Sequence, residues 1–495
     1  MKTMKMALMA GAAVAVSAAV AHADELTDLK AQVEALNARV AAMETAPSVP
    51  TGYQLLAISK GEAAQVPGML GSDRDRVVND NATIISVMPT ADAPAGTTIS
   101  WSGYVRAAIV YAGQEGDATF KRAYNDGTGY AQQTRIKISG SNDDDWDVKA
   151  RGQLRVVATT DTAVGEVGVE LKMRADFNGN GAADVYMKTA WGYWAMTPEL
   201  TLGGGYAGSL GNIGYGYDGA CTCYYTDNAD LSFDPGDTTQ MRLSYASGPF
   251  SMAVAIEDSG FNNGFGNDNN NYNGQNLGVA GEIKYSGDSF SGEISGVYRS
   301  INDNDYDFGG NGVDPNSISN VPFGYNANID ALWQVGVGVG FNLGDIASLS
   351  LAAAMGSGPT QEVNSNGDIV TSYPVQNDWW GITGLASANL SDSVHAELGA
   401  GYKHREGDSH NGVDWASTGP VWKYSGFDYD TWGILGGLYY TPVDQLTIGL
   451  EGEWYTADTN VTRKGIAGSV NEGYKDTLDV STDNWTVDLV SVWRF

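Results

Sequence analysis

The sequence predicts an all-β chain, a transmembrane antiparallel β-barrel of 16 strands preceded by a short N-terminal coiled-coil helix. Three observations carry this. From about residue 98 to the end, segments of roughly ten residues alternate apolar with small or polar side chains. The connections between those segments are short and long by turns. After residue 23, no apolar run approaches the ~18 residues that a membrane helix needs.

Residues 1–23, MKTMKMALMAGAAVAVSAAVAHA, place Lys2 and Lys5 before an apolar run and end on Ala21-His22-Ala23. That is the layout of a secretory signal peptide cleaved before Asp24, and a retained anchor is disfavoured by the short, Ala-rich run. In residues 24–45, Leu26, Leu29, Val33, Leu36, Val40 and Met43 step by three and four, which is a heptad seam. The seam suits oligomerisation, or an amphipathic helix docked on another surface. Residues 46–97 form a connector with two short apolar strings, YQLLAIS and ATIISVM.

The barrel, residues 98–495, follows. VKARGQLRV sets Val148, Ala150, Leu154 and Val156 against Lys149, Arg151, Gln153 and Arg155. VGVELKMRADF sets Val167, Val169, Leu171 and Met173 against Glu170, Lys172, Arg174 and Asp176. A soluble sheet also alternates, but so many strands would require several sandwiches. A membrane barrel needs only lipid on one face and water on the other. Counting back from the C-terminus gives short turns such as Thr441-Pro442-Val443-Asp444, alternating with long Asn/Asp/Gly-rich loops such as 458–482 and 301–327. QTRIKISG at 133–140 would make a seventeenth strand. An even count therefore assigns it to a hairpin within the first loop. Sixteen strands leave an aqueous channel, whereas eight are filled by side chains.

The final stretch, NWTVDLVSVWRF, puts Trp485, Val487, Leu489, Ser491, Trp493 and Phe495 on one face. Thr486, Asp488, Val490, Val492 and Arg494 fall on the other, which is dry at its two valines for a wet lumen. Trp485, Trp493, Tyr440 and Trp454 share the apolar phase, which suits interfacial girdles.

Composition agrees with the barrel. Gly is 64 of 495 residues, against a usual share of about 7%, and Tyr leads the aromatics with 26. Both suit turns and half-polar surfaces. A net charge of −31 excludes nucleic acid bound through its phosphates. GVGVGFNLG at 336–344 continues a strand and opens no helix, so it is no nucleotide loop. His395, His404 and His410 show neither metal spacing nor a triad, and nothing points to an enzyme.

The signal peptide, the LTDLKAQVEALNARVAAME helix, the opener GTTISWSGYVRA and the terminal Phe495 together resemble the outer-membrane general porins of alpha-proteobacteria. The resemblance spans nearly the whole chain in layout and is strong at those stretches. It implies a trimeric diffusion channel whose third extracellular loop folds inward. The implied partners are membrane lipid, lipopolysaccharide, small hydrophilic solutes and ions, with cell-wall contact through the periplasmic helix. Two departures stand out. The connector lacks a Cys pair, and Tyr206 stands where a basic residue is usual.

On this reading the function lies at the narrowest point. Arg106, Lys149, Arg151, Arg155, Lys172, Arg174 and Lys188 share the inward phase of the first four strands as a basic wall. The third loop, about 207–238, carries Asp218, Asp227, Asp230, Asp234 and Asp237 and no Lys or Arg. A basic wall facing an acidic loop would set a field across the pore, and the acidic mouth would steer cations. The plainer alternatives are a solvated lumen and a loop lying on the surface. Cys221 and Cys223 in the same loop favour a strained local disulfide over pairing between chains, with metal last. No cofactor is expected beyond one candidate structural calcium site. There, Asp176, Asn178, Asn180 and Asp184 match positions of a calcium loop, but Met187 replaces the closing Glu and a Gly/Asn turn is the commoner outcome. Two other functions fit the same barrel: a sugar-selective channel and an envelope-tethering structural barrel.

Overall fold

Strand β1, Thr97–Asn125, and strand β16, Tyr474–Arg494, pair antiparallel from Arg494↔Tyr104 to Tyr474↔Tyr124, which closes the sheet on itself. In the computed structural model, the strands between them are β2 Tyr130–Thr162, β3 Gly165–Phe177, β4 Val185–Ala195, β5 Leu200–Gly208, β6 Asp237–Ser247 and β7 Phe250–Asp258. They continue as β8 Leu277–Ser286, β9 Phe290–Ser300, β10 Ala331–Leu343, β11 Ala347–Pro359, β12 Gln376–Ser391 and β13 Val394–Gly407. The last two before closure are β14 Trp422–Val443 and β15 Leu446–Gly465. Each of these strands pairs with its neighbours in chain order, giving the 16 strands expected.

The structure describes residues 55–61, 66, 82–88, 96–125, 127–177, 185–226, 229, 231–258, 277–300, 331–359, 362–363, 369–370, 376–407, 411–412 and 422–495. The signal peptide and heptad helix of the sequence reading lie outside them. Two compact units divide the chain: 1–59 with 85–98, and 60–84 with 99–495. The connector contributes two short strands, Leu55–Gly61 and Ala82–Met88. Its Val66 is buried in one cluster with Val157, Trp191, Tyr193 and Ala207 of the barrel's inner side.

Period two sorts the two faces. Val105, Ile109, Val169, Leu243, Ile256, Val337, Leu398, Leu450 and Leu489 are exposed, while Arg106, Gln153, Arg242, Glu257, Glu397, Glu451 and Asp488 are buried. A soluble fold has the reverse order. Here lipid replaces water outside and the loop, polar wall and water fill the inside. Aromatic belts bound the outer face. At the long-loop end Tyr111 stacks on Trp146 and meets Trp485 edge-on, Trp432 meets Trp454, and Trp380 meets Tyr402. At the short-turn end Phe250, Tyr285, Phe290 and Phe341 form a chain of ring contacts. From Trp485 to Trp493 is eight steps along β16, about 27 Å at ~3.4 Å per residue. A tilt of about 40° turns that into a band of about 20 Å, close to what lipid requires.

One sequence expectation is corrected. Residues 133–140 form no hairpin of their own; they belong to β2, which runs 33 residues from Tyr130. β1 runs 29 residues, and the two connect through a turn with Gly127 and Gly129 at positive φ. SGSNDDD at 139–145 interrupts the alternation beyond the membrane band, where no lipid imposes an apolar face, so one long strand reads as two and the even count sets the first aside. With β14, β15 and β16, all at least 20 residues long, β1 and β2 raise one side of the barrel well above the loop-end belt.

Phe495 completes the closure. Its N–H donates to the Gly103 carbonyl at 3.1 Å. A Cβ at position 103 would lie 2.6 Å from the Phe495 ring and 2.4 Å from the Gln153 carbonyl, so only glycine fits. Gly103→Val should therefore lower the fraction of folded barrel, read as heat-modifiable electrophoretic mobility. The overpacking cost is about 1–3 kcal/mol, and unchanged mobility after urea challenge would refute it.

Candidate functional site

Loop 209–236 lies inside the barrel, held there by inward carboxylates on alternate strands. Ser209 and the Leu210 N–H donate to Glu257 of β7, and the Gly214 N–H to Glu293 of β9 at 2.7 Å. The Gly216 N–H reaches Ser350 of β11, and Thr222 donates its N–H and hydroxyl to Glu397 of β13 at 2.8 and 2.7 Å. On β15, Glu451 accepts the N–H groups of Tyr224 and Tyr225 at 2.8 and 3.0 Å, and Glu453 accepts the Tyr217 hydroxyl. Bonds from buried N–H groups to carboxylates are about twice as strong as neutral ones. The loop is thus hung by its backbone from one side of the wall.

Apolar contacts seat it. Cys221, Cys223, Tyr217, Ala229 and Leu231 of the loop pack with Leu385 and Leu435 of the wall, and Phe233 stacks on Trp379 at 5.9 Å. The alternating glycines of β10 supply room. A Cβ at Gly336 would lie 1.9 Å from Ile213, and one at Gly338 2.4 Å from Tyr215. Tyr224 completes a cluster with Tyr104, Tyr439, Val490 and Val492. The two valines that looked too dry for a lumen are covered by the loop. Cys221 and Cys223 form the local disulfide favoured over pairing between chains, and Cys223 adopts a positive φ of 23°.

Six of the predicted basic residues lie on the inward phase of β1–β3, whereas Lys188 is out of phase with the buried Thr189, Trp191 and Tyr193 of β4, at a register shift against β3. Arg106 closes the loop's far edge, its guanidinium 4.5 Å from the Tyr225 ring centroid. Arg151 pairs with Asp176, Lys188 with Asp237, and Arg155 with Glu170 at 2.7 Å. Lys172 sits 3.8 Å from the same Glu170, Arg174 donates to Gln153, and Lys149 acts electrostatically on Asp488 of β16. Exposure separates the two sides. The Arg151 and Lys188 side chains are 24% and 32% exposed, whereas that of Glu257 is 0%. Arg151 and Lys188 meet solvent, Arg155 less so, and Lys172 is buried with Glu170; the carboxylates under the loop are sealed.

The acidic side is less simple than the sequence implies. Asp234 is exposed and caps the Gly236 N–H at 2.9 Å, and Asp237 is taken by Lys188. Asp218 lies in the short helix α1, Gly216–Ala220; its side chain, and Asp227 and Asp230, lie outside the described residues. Of the calcium candidates, Asp176 is engaged by Arg151 and the Tyr186 hydroxyl, while 178, 180 and 184 lie outside the described residues.

Sequence reasoning missed the anchoring carboxylates. Their signal was present: an inward-phase Glu recurs on every second strand from β7 to β15, with Ser350 filling the β11 place. It becomes visible only once strands are numbered and read across the sheet.

A closed barrel with a lipid-facing exterior, a polar lumen and a loop folded inside defines an outer-membrane channel. The family comparison is specific: the porin subfamily model matches residues 95–485, and the chain belongs to that family. It forms a passive diffusion channel in the outer membrane. Among solved structures, it is similar to the outer-membrane-expressed OmpT of Vibrio cholerae, at 12% identity and a TM-score of 0.44 over 81% of this chain and 98% of that one. An anion-selective porin from Comamonas acidovorans matches at 11% identity and 0.43, covering 81% and 100%. The outer-membrane channel DcaP of Acinetobacter baumannii matches at 14% and 0.39, covering 81% and 97%. No curated protein sequence matches.

Proposed function

We propose that the chain is a general, non-enzymatic porin of the alpha-proteobacterial type, which passes small hydrophilic solutes and ions between loop 209–236 and the β1–β4 wall. The observation that carries this is the division of charge. The loop is fastened to Glu257, Glu293, Glu397, Glu451 and Glu453, while Arg151 reaches solvent on the basic wall beside Arg155, and Lys188 pairs with Asp237 at the loop's end. Lys149, Lys172, Arg174 and Arg106 extend that wall, and Asp218, Asp227, Asp230 and Asp234 complete the loop side. A field between them orders water and disfavours apolar solutes, which displace oriented water without replacing its interactions. The acidic chain steers cations to the mouth, so weak cation preference results. A homotrimer, joined through residues 24–45 in the periplasm, completes the assembly, and the same helix contacts the cell wall. Planar-bilayer recording of the purified chain tests the channel. Ohmic steps without sugar block are expected; absence of conductance refutes it, and saturable block by one sugar would instead identify a substrate-selective channel.

A further inference from the structure

On the tall side of the barrel, three lysines stand directly opposite one another on adjacent strands. Lys423 of β14 pairs with Lys464 of β15, and Lys464 pairs with Lys475 of β16. Lys464 and Lys475 share the phase of the lipid-facing Leu450 and Leu489 through an unbroken register, so the row faces outward. Lys423 joins it only because β14 shifts register between Tyr424 and Gly426. Without that bulge, residue 423 would keep the phase of Thr431 and Leu435, which are buried inside. The bulge re-aims one lysine into line with two others.

Directly opposed like charges repel across about 5 Å and destabilise a sheet. None of the three has an ion-pair partner among the described residues, in a chain with 59 acidic and 28 basic residues. Nearby cations are compensated: Lys121 meets Asp479 at 2.8 Å. The row is also rigidly backed. Behind it Arg122 and Arg463 both bind Asp476, at 2.7 and 3.0 Å, and Arg463 lies 4.1 Å from the ring of the buried Trp422. A stiff, outward, uncompensated row of cations is suited to an external polyanion.

Height identifies which one. Lys475 lies ten residues beyond Trp485, about 34 Å along the strand and about 26 Å vertically at a tilt near 40°. The headgroup layer is only about 5–8 Å deep, so the row stands clear of lipid phosphates. We propose that Lys423, Lys464 and Lys475 bind the phosphorylated saccharide core of lipopolysaccharide, with the membrane-proximal sugars passing along the wall below. The outward placement of this end rests on the porin reading, but binding is measured without conductance, so either can fail alone.

The test uses the full chain in detergent, with fluorescent lipopolysaccharide carrying a phosphorylated core, and the variant K423Q/K464Q/K475Q. Binding to the parent should weaken as salt rises from 0.1 to 1 M. The variant should bind at least tenfold more weakly while keeping heat-modifiable mobility. Lipopolysaccharide truncated to lipid A and its first sugars should bind parent and variant alike. Equal affinity of parent and variant for the phosphorylated-core form overturns the proposal. So does an equal loss for the truncated form, which would assign the row to lipid A, or equally tight capture of inorganic polyphosphate, which would make it a generic anion stripe. K464E alone should weaken core binding further than K464Q; the reverse order also overturns it.

Discussion

Replacing Glu451 with Ala should release the middle of the internal loop, giving an open state with larger conductance and frequent flicker. Glu451 is 1% exposed and accepts the N–H groups of Tyr224 and Tyr225 together with the Tyr439 hydroxyl at 3.0 Å. Each hydrogen bond to a charged group contributes about 1.5–3 kcal/mol, and each orphaned buried donor costs about 1–3 kcal/mol. Loss of this carboxylate therefore removes several kcal/mol from loop docking, comparable to the binding of one segment. Adding Glu397→Ala, which frees Thr222, should raise the solute size limit in liposome swelling. Gly338→Val attacks the same seat from the packing side, because its Cβ meets Tyr215 at 2.4 Å. Single-channel recordings with the parent conductance and noise in all three would show that the loop does not set the aperture.

The barrel was legible because its evidence is local. Alternation in VKARGQLRV and VGVELKMRADF assigns faces without any partner strand, and the short turns mark one end of the molecule. The loop's seat was not legible, because it is a property of neighbours far apart in sequence: Glu257 and Glu451 lie almost 200 residues apart yet hold one loop. The same limit hid Val66, whose burial depends on Trp191 and Tyr193, and the lysine row, whose third member depends on a bulge. Residues 133–140 failed for a different reason. Outside the membrane a strand needs only a pairing partner, so the SNDDD that follows carries β2 on without alternation, and one strand reads as two.

Neutralising Arg151 and Arg155 together should shift ion selectivity towards cations, by more than a change of two charges in bulk water would suggest. Both are paired, with Asp176 and Glu170, so Gln in their place leaves the part-exposed Asp176 without its arginine, while the buried Glu170 keeps Lys172 at 3.8 Å. The wall therefore loses two positive charges and becomes more negative, most directly beside Asp176. The part-exposed Arg151–Asp176 pair is screened over about 10 Å at 0.1 M salt but about 3 Å at 1 M. The shift in reversal potential should accordingly be large across a dilute KCl gradient and shrink in concentrated KCl. That salt dependence separates a field effect from a change of aperture, which would alter conductance at every salt concentration. If the double variant keeps the parent's reversal potential in dilute salt, ions do not pass along β2 and β3. The water path would then have to run along another part of the wall, with the arginine pairs serving only to brace the sheet.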